Sequence, residues 1–178
     1  MEYFELIKKR YSVRSFTDEP VKKETIDKIL EAAHLAPTAC NFQAYRVLVI
    51  NTPEAIEKLQ NCSRAHFGTK CAMLVCYNDD ECWTRKYDGE KSGVVDASIV
   101  ATHMMLAAEN EGVGSTWVMH FNPAKMREEF NLPENIVPVA LLVMGYPSPD
   151  ATPHEYHSQF RPMEETVFYN SFDEKEVH

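Results

Sequence analysis

Residues Gly93 to Glu111 set the strongest constraint on how this chain can fold. Val94, Val95, Ala97, Ile99, Val100, Ala101, Met104, Met105, Leu106, Ala107 and Ala108 crowd one helical stretch and leave hardly any polar face. A helix that is apolar nearly all round must be buried, either centrally or against another molecule. A chain of 178 residues offers limited interior in which to wrap so long a helix completely. One side of it is therefore expected to face a partner subunit, with the Met104–Met105 pair as packing.

That length suits one domain, and no repeat, low-complexity tract or linker divides it. The expected organisation is a single domain over residues 1–172 and an acidic, solvated tail over 173–178. Lys plus Arg number 18 against 27 Asp plus Glu, a net charge of -9. This balance argues against nucleic acid and against an anionic membrane surface as partners. No apolar run reaches membrane-spanning length, and the first residues lack a basic-then-apolar leader. Five cysteines without a CxxC pair fit reduced thiols in a cytoplasmic protein. His154 and His157 have no Cys or acidic partner at ligand spacing, so no metal site is expected.

Helical spacing appears over residues 2–9, and again over 22–35 with Ile26, Ile29, Leu30 and Ala33 on one stripe. Pro37 ends the second helix. Residues 45–50 read as a strand whose continuous Val47-Leu48-Val49-Ile50 run implies burial on both faces. Thr52-Pro53-Glu54 opens a helix to about residue 60. Strands are expected at 72–77, 115–119 and 137–145, with Pro138 marking an irregular position in the last. A helix opens at Asn122-Pro123, and the polar loop 78–91 carries Trp83 and Tyr87, which either cover a ligand or pin the loop down. Thr166 to Tyr169 reads as a last short strand without a local partner, so it would pair across a subunit boundary. Gly112-Val113-Gly114 follows a helix and lacks a third glycine, so it is not a dinucleotide fingerprint.

Two short stretches carry candidate chemistry. Arg10-Tyr11-Ser12-Val13-Arg14 places two guanidinium groups around a hydroxyl where the first helix ends. Such a fork can grip phosphate. Cations also simply favour a helix C-terminus. Pro37-Thr38-Ala39-Cys40-Asn41-Phe42-Gln43 is a loop whose amides can read the edge of a heteroaromatic ring or serve as ordinary turn residues.

Taken together these stretches resemble the FMN-dependent nitroreductase family over about residues 3–170. The resemblance is carried by Arg10-x-Ser12-x-Arg14-x-Phe16, then Pro37-Thr38-Ala39-x-Asn41-x-Gln43 before a strand, then Asp96-Ala97-Ser98 early in the long helix. It continues through Gly112-x-Gly114-x-x-Trp117, Leu132-Pro133-Glu134, Gly145-Tyr146-Pro147 and Arg161-Pro162. The resemblance implies an α+β fold with a central, mainly antiparallel sheet flanked by helices. It implies a homodimer with C-terminal strand exchange and FMN at the interface.

By position, Arg10 and Arg161 would bind the FMN phosphate, with Tyr11 and Ser12 close to phosphate or ribityl. Arg14 would lie near N1 and O2 of the ring. Pro37, Thr38, Ala39, Asn41 and Gln43 would approach from the other subunit. Trp117, Val118, Met119 and His120 would pass beside the ring, a backbone N–H of Met119 or His120 facing N5. The implied activity is hydride transfer from NADH or NADPH through N5 to a nitroaromatic, quinone or similar small-molecule acceptor, by ping-pong kinetics. No catalytic side chain is required, and His120 and Tyr45 are the candidate proton donors. The same contacts would serve a protein that binds FMN without turnover. Ala44-Tyr45 stands where relatives often carry Pro-Trp, and Thr38 where serine is usual, which bears on the substrate pocket more than on FMN.

Overall fold

The computed structural model describes residues 2–172. Its helices are α1 (Tyr3–Lys9), α2 (Lys23–His34), α3 (Pro53–Cys62), α4 (Gly93–Asn110) and α5 (Pro123–Glu129). Its strands are β1 (Tyr45–Ile50), β2 (Cys71–Asn78), β3 (Gly114–Val118) and β4 (Ile136–Gly145). They form one antiparallel sheet in the order β1-β2-β4-β3. The expected α+β architecture is present. The expected acidic tail lies outside the described residues.

The sheet has a core on each face because successive strand residues point to opposite sides. Met73 and Val75 of β2, with Ala140, Leu142 and Met144 of β4, pack under α2 and α4. Ala72, Leu74 and Cys76, with Leu141 and Val143, pack against α3 and α5. Burying β2 and β4 on both faces explains their unbroken apolar runs. The register slips between Val75 and Cys76, which pair with Ala140 and Pro138. Val139 is thus the extra residue of a bulge, and it shares the α2/α4 core with its neighbour Ala140. The proline sits at this interruption, where a missing N–H costs the ladder least.

β1 corrects an expectation. Among the described residues it is an edge strand, and Val47, Leu48 and Val49 are only half-buried. Its apolar run reflects coverage by helices rather than a strand on either side. A 3-10 turn covers Met163–Glu165, and among the described residues no strand is formed over Thr166 to Tyr169, whose expected partner belongs to a second subunit.

α4 packs Ala97, Val100, Ala101, Met104 and Ala108 into the core. Gly93 permits its close approach, since a Cβ there would lie 2.2 Å from the ring of Tyr77. The helix is not enclosed, however. Val94 and Val95 are 53% and 60% exposed, and with Ser98, Ile99 and Thr102 they line a shallow apolar depression. Among the described residues no helix is long and apolar enough to cross a membrane. In the 79–92 loop, Trp83 is half-buried and its carbonyl accepts from the Ser92 amide at 2.9 Å. Tyr87 stands almost fully in solvent. The Trp83 backbone ties the loop down, and the Tyr87 ring extends into solvent.

Candidate functional site

The arginine segment is built onto the sheet edge. α1 stops at Lys9, where Arg10 turns extended while its N–H still reaches the Leu6 carbonyl. Ser12 then pairs in parallel with Ser115 of β3. The Val13 amide donates to the Ser115 carbonyl at 3.0 Å, and the Thr116 hydroxyl donates to the Val13 carbonyl. Val13 is fully buried against Gly114, where a Cβ would come within 2.5 Å of its Cγ2. With Val13 turned inward, the alternation of extended chain places Arg10, Ser12 and Arg14 on the opposite face. All three line one cavity of about 320 Å³. Four residues of extended chain span about 13 Å, so the two guanidinium groups serve separate points of one elongated ligand more readily than one group. Among the described residues neither has a carboxylate partner.

The far wall comes from His154, Tyr156, His157 and Phe160. This segment is tied back by the Tyr11 hydroxyl, which donates to the Ala151 carbonyl at 3.2 Å, and by an edge contact of the Tyr11 and His157 rings. Sequence reasoning missed these residues because the stretch has no periodicity and its histidines invite only a metal test. The signal available was composition: two imidazoles and two aromatic rings within seven residues suit a phosphorylated aromatic ligand. Arg161 does not line the cavity. It is largely exposed, with its Nη1 3.9 Å from Glu165 Oε2.

The 37–43 loop forms a second cluster, apart from that cavity. Cys40, Asn41 and Gln43 all adopt positive φ, a left-handed path that costs non-glycine residues energy. The loop is held by the Gln43 amide donating to Thr38 Oγ1 at 3.1 Å, and by the Ala39 amide donating to Asp96 Oδ1 at 2.9 Å. Asp96 is 2% exposed, and its other oxygen accepts from the Ser92 hydroxyl at 2.8 Å. This gives the Asp96-Ala97-Ser98 motif a physical role: its carboxylate fixes the amide-bearing loop to the start of α4. The side chains of Asn41 and Gln43 are left exposed.

The third cluster is the end of β3. Trp117 is half-buried, Val118 is buried, and Met119 and His120 emerge into solvent. The parallel Ser12–Ser115 register carries Arg14 to the level of Trp117. The His120 carbonyl accepts from the Ser63 hydroxyl at 2.7 Å, which fixes the turn leaving the strand.

The four buried thiols offer no nucleophile here. Burial pushes Cys71 and Cys76 up to about 12. Desolvation also raises Cys62 and Cys82, and all five cysteines are free.

The α+β sheet, the edge-bound arginine segment and the Asp96-anchored loop together define a class, the nitroreductase fold. The chain belongs to the Nitroreductase family, whose sequence profile matches residues 7–75 and 60–146. It is 31% identical over 170 residues to a protein of Archaeoglobus fulgidus provisionally named NADH dehydrogenase/NAD(P)H nitroreductase, covering 90% of this chain and 94% of that one. Among solved structures, a nitroreductase family protein from Clostridium difficile 630 superposes with a TM-score of 0.91 at 42% identity, covering 97% of this chain and 100% of that one. A provisionally named nitroreductase from Desulfovibrio desulfuricans, in complex with FMN, gives a TM-score of 0.79 at 27% identity, covering 95% and 96%. The family is one of oxidoreductases, which agrees with the reading from sequence.

Proposed function

We propose that the protein is an FMN-dependent oxidoreductase that takes hydride from NADH or NADPH and reduces a nitroaromatic, a quinone or a similar small acceptor. The observation that carries the reading is the single face formed by Arg10, Ser12 and Arg14 along one cavity. Two permanent cations and a hydroxyl spaced over about 13 Å fit a ligand with phosphate at one end and a polar ring at the other. The FMN complex of the Desulfovibrio relative supports the same assignment.

Bound there, FMN would supply the hydride-accepting N5 atom and electron storage that no side chain provides. Arg10 holds the phosphate, and Ser12 adds a hydroxyl contact. Arg14, level with Trp117, puts a fixed positive charge against the ring edge and stabilises negative charge gathered there. Met119 and His120 offer backbone N–H groups beside the ring. Phe160 and Tyr156 wall the cavity opposite the arginines.

Pro37 to Gln43 meets the same ligand from a second copy of the chain. The apolar depression along Val94, Val95 and Ile99 is the surface that a homodimer would bury, which accounts for its exposure in one chain. The test is an absorbance spectrum of the protein as purified, followed by anaerobic titration with each nicotinamide. A yellow dimer whose flavin band bleaches is expected. A colourless protein that will not take up FMN refutes the assignment. Flavin reduced by dithionite but by neither nicotinamide would make it a binding protein without turnover.

A further inference from the structure

A second cavity, of about 430 Å³, has His120 in its lining. It lies between the end of α3 and the start of α5. Two hydrogen bonds staple these elements together: Ser63 Oγ to the His120 carbonyl at 2.7 Å, and the Asn122 amide to the Cys62 carbonyl at 2.8 Å. The pocket is therefore set by the fold and not by side chains that happen to drift apart. Its lining includes Arg64, Lys125 and His120 and not one carboxylate, in a chain whose net charge is -9. Of the two nearby acids, Glu128 and Glu129, neither lines the pocket, and Glu129 accepts from Asn61 Nδ2 at 3.1 Å. The Asn122 side chain is spent on capping α5. Among the described residues, Arg64 and Lys125 have no ion-pair partner. Phe121, half-buried, adds an apolar wall.

Two unpaired cations from opposite walls, with an aromatic face between them, suit a nucleotide that ends in a dianionic phosphate monoester. We propose that this pocket receives the adenosine 2′-phosphate of NADPH and makes the enzyme prefer NADPH to NADH. The proposal rests on the oxidoreductase reading above, which puts His120 beside the flavin ring. A dinucleotide lying from the ring across His120 would bring its adenosine end to Arg64 and Lys125. The choice of the 2′-phosphate over the pyrophosphate follows from the cations standing at the exposed rim, whereas the pyrophosphate lies nearer the ring in an extended dinucleotide.

The test uses the FMN-loaded protein and isothermal titration with 2′,5′-ADP and 5′-ADP. The wild type should bind 2′,5′-ADP the more tightly. Arg64→Ala and Lys125→Ala should each weaken 2′,5′-ADP by about tenfold, a charge-assisted contact apiece, and leave 5′-ADP nearly unmoved. The NADPH-to-NADH ratio of kcat/KM should fall by a similar factor. Both side chains are exposed, so the fold tolerates their loss, and an unchanged flavin spectrum verifies it. Equal binding of the two nucleotides, absence of binding, or indifference to both substitutions overturns the proposal. An equal loss for 2′,5′-ADP and 5′-ADP would mean that the cations read the 5′-phosphate the two nucleotides share, and also overturns it. Failure of both nicotinamides to bleach the flavin refutes the oxidoreductase reading instead, and the titration still reads the pocket independently.

Discussion

Gly114→Ala should detach the arginine segment from the sheet, although the glycine touches no ligand. A Cβ at this position would lie 2.5 Å from Val13 Cγ2, 2.9 Å from Val13 Cβ and 3.0 Å from Pro147 Cγ. All three atoms belong to packed groups, and Val13 is 0% exposed, so it cannot swing into solvent. The backbone at Gly114 needs no left-handed conformation, since its φ is not among the positive ones. The cost is therefore steric alone. Overpacking of this kind costs about 1–3 kcal/mol. For a chain of this size that is a fall in melting temperature of roughly 2–12 °C. The cheapest relief is to push Val13 outward, which breaks the Val13–Ser115 hydrogen bond and displaces Arg10, Ser12 and Arg14 from their common face. FMN affinity should drop by about tenfold or more. Thermal unfolding and flavin fluorescence titration measure the two effects. Adding Val13→Ala should restore part of both, giving a coupling of about 1 kcal/mol or more between the two sites. A Gly114→Ala protein that melts and binds FMN like the wild type would refute the link between this packing and the site.

Asp96→Ala should leave the Ala39 amide and the Ser92 hydroxyl without their buried acceptor, costing about 2–4 kcal/mol and loosening residues 37–43; limited proteolysis should then cut that loop first. Arg10→Ala should weaken FMN by about 10- to 100-fold with little change in reduction potential, whereas Arg14→Ala should lower the potential, as spectroelectrochemical titration will report. Arg161→Ala should weaken FMN less than Arg10→Ala, because Arg161 stands outside the cavity lining in the single chain. Thiol titration of the native protein should find one fast cysteine, Cys40, because the other four are buried. Cys71 and Cys76 rise from 9.0 to about 12 on folding, so each contributes stability that is intact below pH 9 and lost as pH climbs toward 12. Urea unfolding should show that alkaline decline, and replacing both cysteines with alanine should flatten it.

Much of this molecule was legible in the chain itself. Apolar patterning and helix caps located the five helices and four strands of the described residues, because both depend on local geometry and on which side is wet. The proline in β4 marked the bulge, and Thr52-Pro53 and Asn122-Pro123 marked two helix starts, since caps and proline act within one turn. The arginine motif and the 37–43 loop were visible as residue types. Burial was harder to read. The apolar run of β1 promised burial on both faces, and Val47, Leu48 and Val49 are only half-buried, because β1 lies at the sheet edge and strand order depends on contacts between distant residues. The short strand expected at residues 166–169 is not formed among the described residues, and its expected partner belongs to a second subunit.

Only the tertiary structure decided how the candidate groups are deployed. Sequence spacing allowed Arg10 and Arg14 to grip one phosphate together. The buried Val13 against Gly114 turns them onto one extended face instead, separated along its length. Asp96 could be recognised as a motif, but its role as the anchor of the amide-bearing loop needs a contact 57 positions away. The histidine and aromatic wall at 154–160 showed in the chain only as composition, and which ligand face it closes depends on its being tied back to Tyr11. The cationic pocket beside His120 had no linear signature, because it is assembled from segments far apart in the chain. Local patterning fixed what the pieces are, and long-range packing fixed what they face.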